Sequence, residues 1–90
     1  MLFMVIERFK NRDASAVYQR FQAQGRMLPE GLTYLDSWTE TGFERCFQLM
    51  ECDDPSLFHE WISHWQDLVE FEIVTVLTAK EAADSIKQRL

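Results

Sequence analysis

Hydrophobic positions along the chain switch between a period of two and a period near 3.6, in the order strand, helix, strand, strand, helix, strand. From Leu2 to about Arg8, Leu2, Met4 and Ile6 point one way while Phe3, Val5 and Glu7 point the other. Both sets are apolar until Glu7, which predicts a central strand covered on both sides. Asn11-Arg12-Asp13 reads as a turn and helix cap. Ala14, Val17, Tyr18, Phe21 and Leu28 then recur at helical spacing, and Gly25 ends the helix near Arg26. After a Pro29-Glu30-Gly31 loop, a second strand runs from about Leu32 to Glu40, and Thr41-Gly42 is a hairpin turn into a third from Glu44 to Cys52. Asp54 as cap and Pro55 at the first helical position open a second helix, with Leu57, Phe58, Trp61, Ile62 and Trp65 on one stripe. Val69 to Leu77 is a fourth strand. Thr78 with Glu81 is a capping-box pattern, so residues 79–89 form a short C-terminal helix.

This order predicts a single α+β domain over residues 1–90: a ferredoxin-like β-α-β-β-α-β sandwich with an antiparallel sheet in the order 4-1-3-2 and two helices on one face. The other sheet face would expose Met, Phe, Val and Leu side chains, and apolar patches of that size mark interfaces. Two such faces packed together make a dimeric α/β barrel, so the expected partner is a second copy of the chain.

Composition narrows the classes. A span of 90 residues is one domain with a modest core. Cys46 and Cys52 on one strand lie about 20 Å apart, beyond disulfide reach. Two free thiols suit a reducing compartment. Met1 opens directly into an apolar run with no basic leader before it, and that run is far shorter than the ~20 residues of a membrane span. A cytoplasmic protein with no membrane contact is expected. The net charge of −6 is unevenly placed: residues 1–26 carry five cations and two anions, while residues 27–79 carry eleven anions and one cation, Arg45. An acidic body argues against nucleic acid, and Phe47 alone on the third strand cannot make the aromatic platform of an RNA-binding sheet.

The motifs Gly25-Arg-Met-Leu-Pro-Glu-Gly31, Ser37-Trp38, Arg45-Cys-Phe-Gln-Leu-Met-Glu51 and Trp61…Trp65-Gln-Asp-Leu68 resemble those of a bacterial family of short domains of unknown function with the dimeric α/β-barrel architecture. The resemblance covers residues 1 to about 80. It implies the fold and a homodimer, and no activity.

Candidate chemistry is sparse. His59 and His64 are five residues apart, roughly 140° around a helix, so they cannot share a metal. No metal or cofactor is implied. Cys46 reads as a buried small hydrophobe with no base beside it. Trp61 and Trp65 read as core, whereas Trp38, on an edge strand, is the better ligand candidate. The end of the first strand meets the starts of the third and fourth, which places Glu7 near Arg45 and near Glu70 to Glu72. The expectation is a Glu7–Arg45 ion pair at one rim, either a plain salt bridge or a pocket edge where crowded carboxylates have raised pKa values. Arg26 is expected at the opposite end, where it could hold an anion. The candidate ligand-binding set is therefore Glu7, Trp38, Arg45, Phe47, His64, Trp65, Phe71 and Glu72, with Trp65, Phe47 and Phe71 lining an apolar pocket between helices and sheet. Three functions compete: binding of a small apolar or aromatic molecule, a cofactor-independent oxygenase or isomerase with His64 or a carboxylate as base, and an interaction module with no pocket. A cavity of roughly 300 Å³ or more would separate the first two from the third.

Overall fold

A computed structural model describes residues 1–90. Four strands, β1 (Leu2–Phe9), β2 (Thr33–Thr39), β3 (Arg45–Glu51) and β4 (Val69–Val76), form one sheet in the order β2-β3-β1-β4 with every neighbour antiparallel. This is the expected 4-1-3-2 order read from the other edge. Three helices accompany it: α1 (Ala14–Gln24), α2 (Leu57–Ser63) and α3 (Ala79–Lys87).

Strand alternation sorts the side chains onto two faces. Phe3, Val5, Glu7 and Phe9 of β1, with Cys46, Gln48 and Met50 of β3, face the helices and are buried. The core under α2 gathers Phe3, Val5, Leu32, Met50, Cys52, Phe58, Trp61 and Trp65, with Val17 of α1 packed against it. Edge-to-face contacts order its rings: Phe3 on Phe58 at 5.1 Å and Trp61 on Phe71 at 5.4 Å between centroids. A buried tryptophan removes roughly 150–250 Å² from water, about 4–6 kcal/mol at 25 cal/mol per Å².

The helix boundaries follow their caps. The Asp13 carboxylate accepts the Ala16 N–H at 3.1 Å, and Gly25 closes α1 at φ 69° with its N–H on the Phe21 carbonyl. At Thr78 and Glu81 both halves of the capping box form, at 3.1 and 3.0 Å. The start of α2 differs from expectation. The Asp54 side chain accepts from the N–H and hydroxyl of Ser56, and the backbone bonds from Leu57 to Asp54 and from Phe58 to Pro55 span three residues. A tight turn thus precedes the helix, because a carboxylate that bonds two residues ahead holds the backbone in a turn. Trp65 falls in the turn after α2 yet keeps its place on the apolar stripe. The hairpin turn forms at Thr41-Gly42 as expected. Its loop spans Glu40 to Glu44, and the left-handed residue is Phe43 (φ 56°), not Gly42.

The helix-free face carries Met4, Ile6, Phe47 and Leu49, half-buried by their neighbours, with Leu35, Trp38 and Val74 exposed. Helix α3 has no buried residue although it is well capped. No helix is long and apolar enough to cross a membrane.

Candidate functional site

A cavity of about 90 Å³ lies between α1 and the sheet. Its walls are apolar: Val17 and Phe21 from α1, Phe9, Trp61 and Trp65. Helix α1 packs on the core through Ala14 and Val17 but buries none of its own residues completely. The floor is polar. Glu7 is 4% exposed, and its carboxylate accepts a hydrogen bond from Gln48 Nε2 on the neighbouring strand. Cys46 stands opposite Glu7 in the β1–β3 register and opposite Thr39 in the β2–β3 register, so its thiol joins the polar floor. Tyr18 and Thr39 join hydroxyls at 2.9 Å across the mouth.

Arg26 completes the ring of polar groups. Its Nε donates to Gln48 Oε1 at 3.4 Å, and its guanidinium stacks 3.5 Å from the centroid of Tyr34 and 4.9 Å from that of Phe21. Its carbonyl accepts the indole N–H groups of both Trp61 and Trp65, each at 3.0 Å. Left-handed backbone at Gly25 (φ 69°) and Met27 (φ 59°) flanks it.

Electrostatics follow from burial. Desolvation pushes the Glu7 carboxyl above its usual value, outweighing the opposing pull of Gln48, Cys46 and the Arg26 charge. Burial, and then the Glu7 charge, push the Cys46 thiol up to about 11, so it is a protonated thiol and not a nucleophile. Cys46 and Cys52 are both free and buried.

The candidate residues split across the sheet. Glu7 and Trp65 line the cavity, and Phe71, opposite Glu7 in the β1–β4 register, packs against the core through Trp61. Phe47, Arg45, Trp38 and Glu72 lie on the helix-free face. His64 caps α2, exposed, its carbonyl accepting from Arg20, and it does not reach the cavity. The expected Glu7–Arg45 pair does not form. Glu7 stands opposite Cys46, while Arg45 stands opposite Arg8 and binds Glu40 through Nε and Nη2 at 2.7 and 3.1 Å. The two elements meet where expected, but one residue of register puts a side chain on the other face. For the same reason Glu70 and Glu72 do not crowd Glu7, whose raised pKa comes from burial. Arg26 does not stand apart at the opposite end, since its side chain reaches back to Gln48. The signal that locates the site is two polar residues, Glu7 and Gln48, at core-facing positions of adjacent strands.

An antiparallel four-stranded α+β domain with a half-enclosed, polar-floored cavity under one helix is the class this geometry defines. The chain belongs to the family described as Domain of unknown function (DUF3303), which it matches over residues 1–90. No curated protein and no solved structure matches it.

Proposed function

We propose that the protein is a homodimeric binding domain of ferredoxin-like, dimeric α/β-barrel architecture, whose cavity beneath α1 takes a small molecule with a short apolar body and one polar end. The observation that carries this is the combination of aromatic and aliphatic walls with a buried carboxyl and amide on the floor. Ligand sites have that composition. At about 90 Å³ the space falls short of the roughly 300 Å³ that marks a ligand pocket, which on volume alone favours an interaction module, and it is below the ~150 Å³ that holds benzene; the lining, not the size, supports binding. The aromatic ligand expected from sequence therefore narrows to a molecule of a few heavy atoms.

The partner is a second copy, seated on the helix-free face. Four strands ~4.8 Å apart and about seven residues long give each sheet a face of roughly 450 Å², or ~900 Å² for two; Arg8, Arg45, Glu70 and Glu72 take one end of it, so the apolar part is well under the ~1,000 Å² of a specific interface. The apolar stripe Ala79, Ala82, Ala83 and Ile86 of α3 supplies more area. The radius of gyration points the same way: 14.7 Å against about 12 Å for a compact chain of this length. The free thiols fit a cytoplasmic location.

Native mass spectrometry of freshly purified protein tests both halves. A dimer carrying one small adduct per chain is expected. A bare monomer, together with no response of the tryptophan indole resonances to short-chain amides, would overturn the reading. A second reading, proton transfer at carbon, is favoured by one observation: Glu7 is a titratable group inside the cavity, its pKa raised by burial. Deuterium uptake from D2O into a bound ligand, lost in Glu7→Gln while binding persists, would select it. His64 has no part in either reading.

A further inference from the structure

We infer that the ligand is a short-chain monocarboxylate, its carboxylate clasped by the Arg26 guanidinium and its alkyl tail laid against Val17, Phe21, Trp61 and Trp65. The inference rests on the binding reading above and assigns its chemical class. Arg26 is the unexplained cation of the cavity. Its one side-chain hydrogen bond runs from Nε to Gln48, and it enters none of the ion pairs of the chain. The two terminal amino groups are left free, on a plane held between Tyr34 and Phe21. The Arg26 charge reaches Glu7 only through Gln48 and makes no direct ion pair with it, and a carboxylate matches a guanidinium fork through two parallel bonds. The site is built for that side chain. The Arg26 carbonyl is tied by both indoles, and the left-handed residues on either side set its direction.

Charge restricts the class further. The groups facing Glu7 are Gln48 and Cys46 from β3, Thr39 from β2, Tyr18 from α1 and Arg26 beyond it, while α2, the turn after it and β4 contribute Trp61, Trp65 and Phe71, all uncharged. With Cys46 a thiol, only Glu7 and Arg26 carry charge there. When Glu7 is protonated the site is a single cation and the carboxyl can donate to the ligand. When it is ionised the site is neutral and one carboxylate faces another. Binding therefore takes up a proton at Glu7 and weakens as pH rises through its raised pKa. A dicarboxylate or phosphate would bring a second charge against apolar walls with nothing to meet it. The volume selects a chain of two to about four carbons over a ring.

Acetate, propionate, butyrate and the neutral isostere propionamide can each be titrated into the full chain at intervals from about pH 6, where the acids are ionised, to about pH 8, following the indole N–H resonances of Trp61 and Trp65. Propionate or butyrate should bind saturably at the lower pH, about tenfold or more tighter than propionamide, and weaken at the higher pH. Arg26→Met should lose about tenfold or more, Arg26→Lys should not restore it fully because an ammonium has no fork, and Glu7→Gln should remove the pH dependence. Propionamide binding as tightly as propionate, or unchanged propionate affinity in folded Arg26→Met, would overturn the carboxylate class and leave the cavity reading standing. No response to any of the four probes would overturn both. The wild-type comparison of acid with amide needs no variant, so a destabilised Arg26→Met does not blunt the test.

Discussion

At the scale of single residues, Glu7 is the most consequential. A carboxyl on an otherwise apolar strand face survives because Gln48 donates to it and Arg26 stands near, but burial still favours its neutral form. The folded state therefore holds this proton more tightly than the unfolded chain does. Stability is full below the ordinary glutamate value of 4.5, falls as pH rises from there through the raised value, and is flat above it. Glu7→Gln should abolish that decline and leave the variant more stable than wild type at neutral pH, which melting temperatures between about pH 4 and pH 8 will reveal. Parallel wild-type and variant profiles would mean that Glu7 titrates normally. Trp65 makes the opposite case. It is buried, its indole N–H is spent on the Arg26 carbonyl, and Trp65→Ala should cost about 3–5 kcal/mol by denaturant unfolding. A loss under ~1 kcal/mol would show that α1 and the 25–28 segment collapse into the space.

At the scale of elements, the sequence signals that succeeded were local ones. Asp13, Gly25 and the Thr78–Glu81 box each mark a helix end within a residue or two, because capping uses atoms only a few positions apart. The hairpin turn at Thr41-Gly42 forms as expected and pairs β2 with β3, but inside a longer loop. Gly42 invites the left-handed position, yet the five-residue loop places it on Phe43, which is 53% exposed. A bulky residue there is strained by about 1 kcal/mol. Phe43→Gly should therefore raise stability by up to ~1 kcal/mol despite losing an aromatic ring, and an unchanged or lower melting temperature would show that Phe43 is held by contacts beyond this chain. Across elements, Arg20 grips Asp67 through two bonds of 2.7 Å and also bonds the His64 carbonyl, tying α1 to the segment before β4. That bidentate bond holds the Asp67 carboxyl down at about 2, against the usual 3.8. The contact contributes fully above the ordinary aspartate value and is lost as pH falls toward 2. A carboxyl carbon resonance for Asp67 titrating near 4 would mean that the pair does not persist in solution.

For the whole molecule, the unequal sheet faces are the dominant fact. One face is closed by α1 and α2, while the other leaves Trp38 51% exposed beside Phe47, and α3 stands off the end of an edge strand with an unburied apolar stripe. If a second copy covers that face, Phe47→Glu should convert the dimer to a folded monomer. Removal of residues 79–90 should weaken the dimer while leaving the cavity intact. Sedimentation across a concentration series checks both, and a Phe47→Glu protein of unchanged mass would show that the helix-free face is not the interface.

Periodicity along the chain determined the element order, the antiparallel pairing of β2 with β3, and the central places of β1 and β3, because each follows from where apolar side chains must point and how short the loops are. It also separated helix core from strand core, which is why Trp61 and Trp65 read correctly as packing. Tertiary structure alone decided the site. Whether Glu7 meets Arg45 or Gln48 depends on a one-residue register between strands about forty positions apart, and no local pattern encodes that parity. The place of Arg26 was equally hidden. Its side chain is brought to the cavity by a carbonyl shared between two indoles 35 and 39 residues away and by ring stacking on Tyr34, contacts that exist only once α1, α2 and the sheet have closed around them.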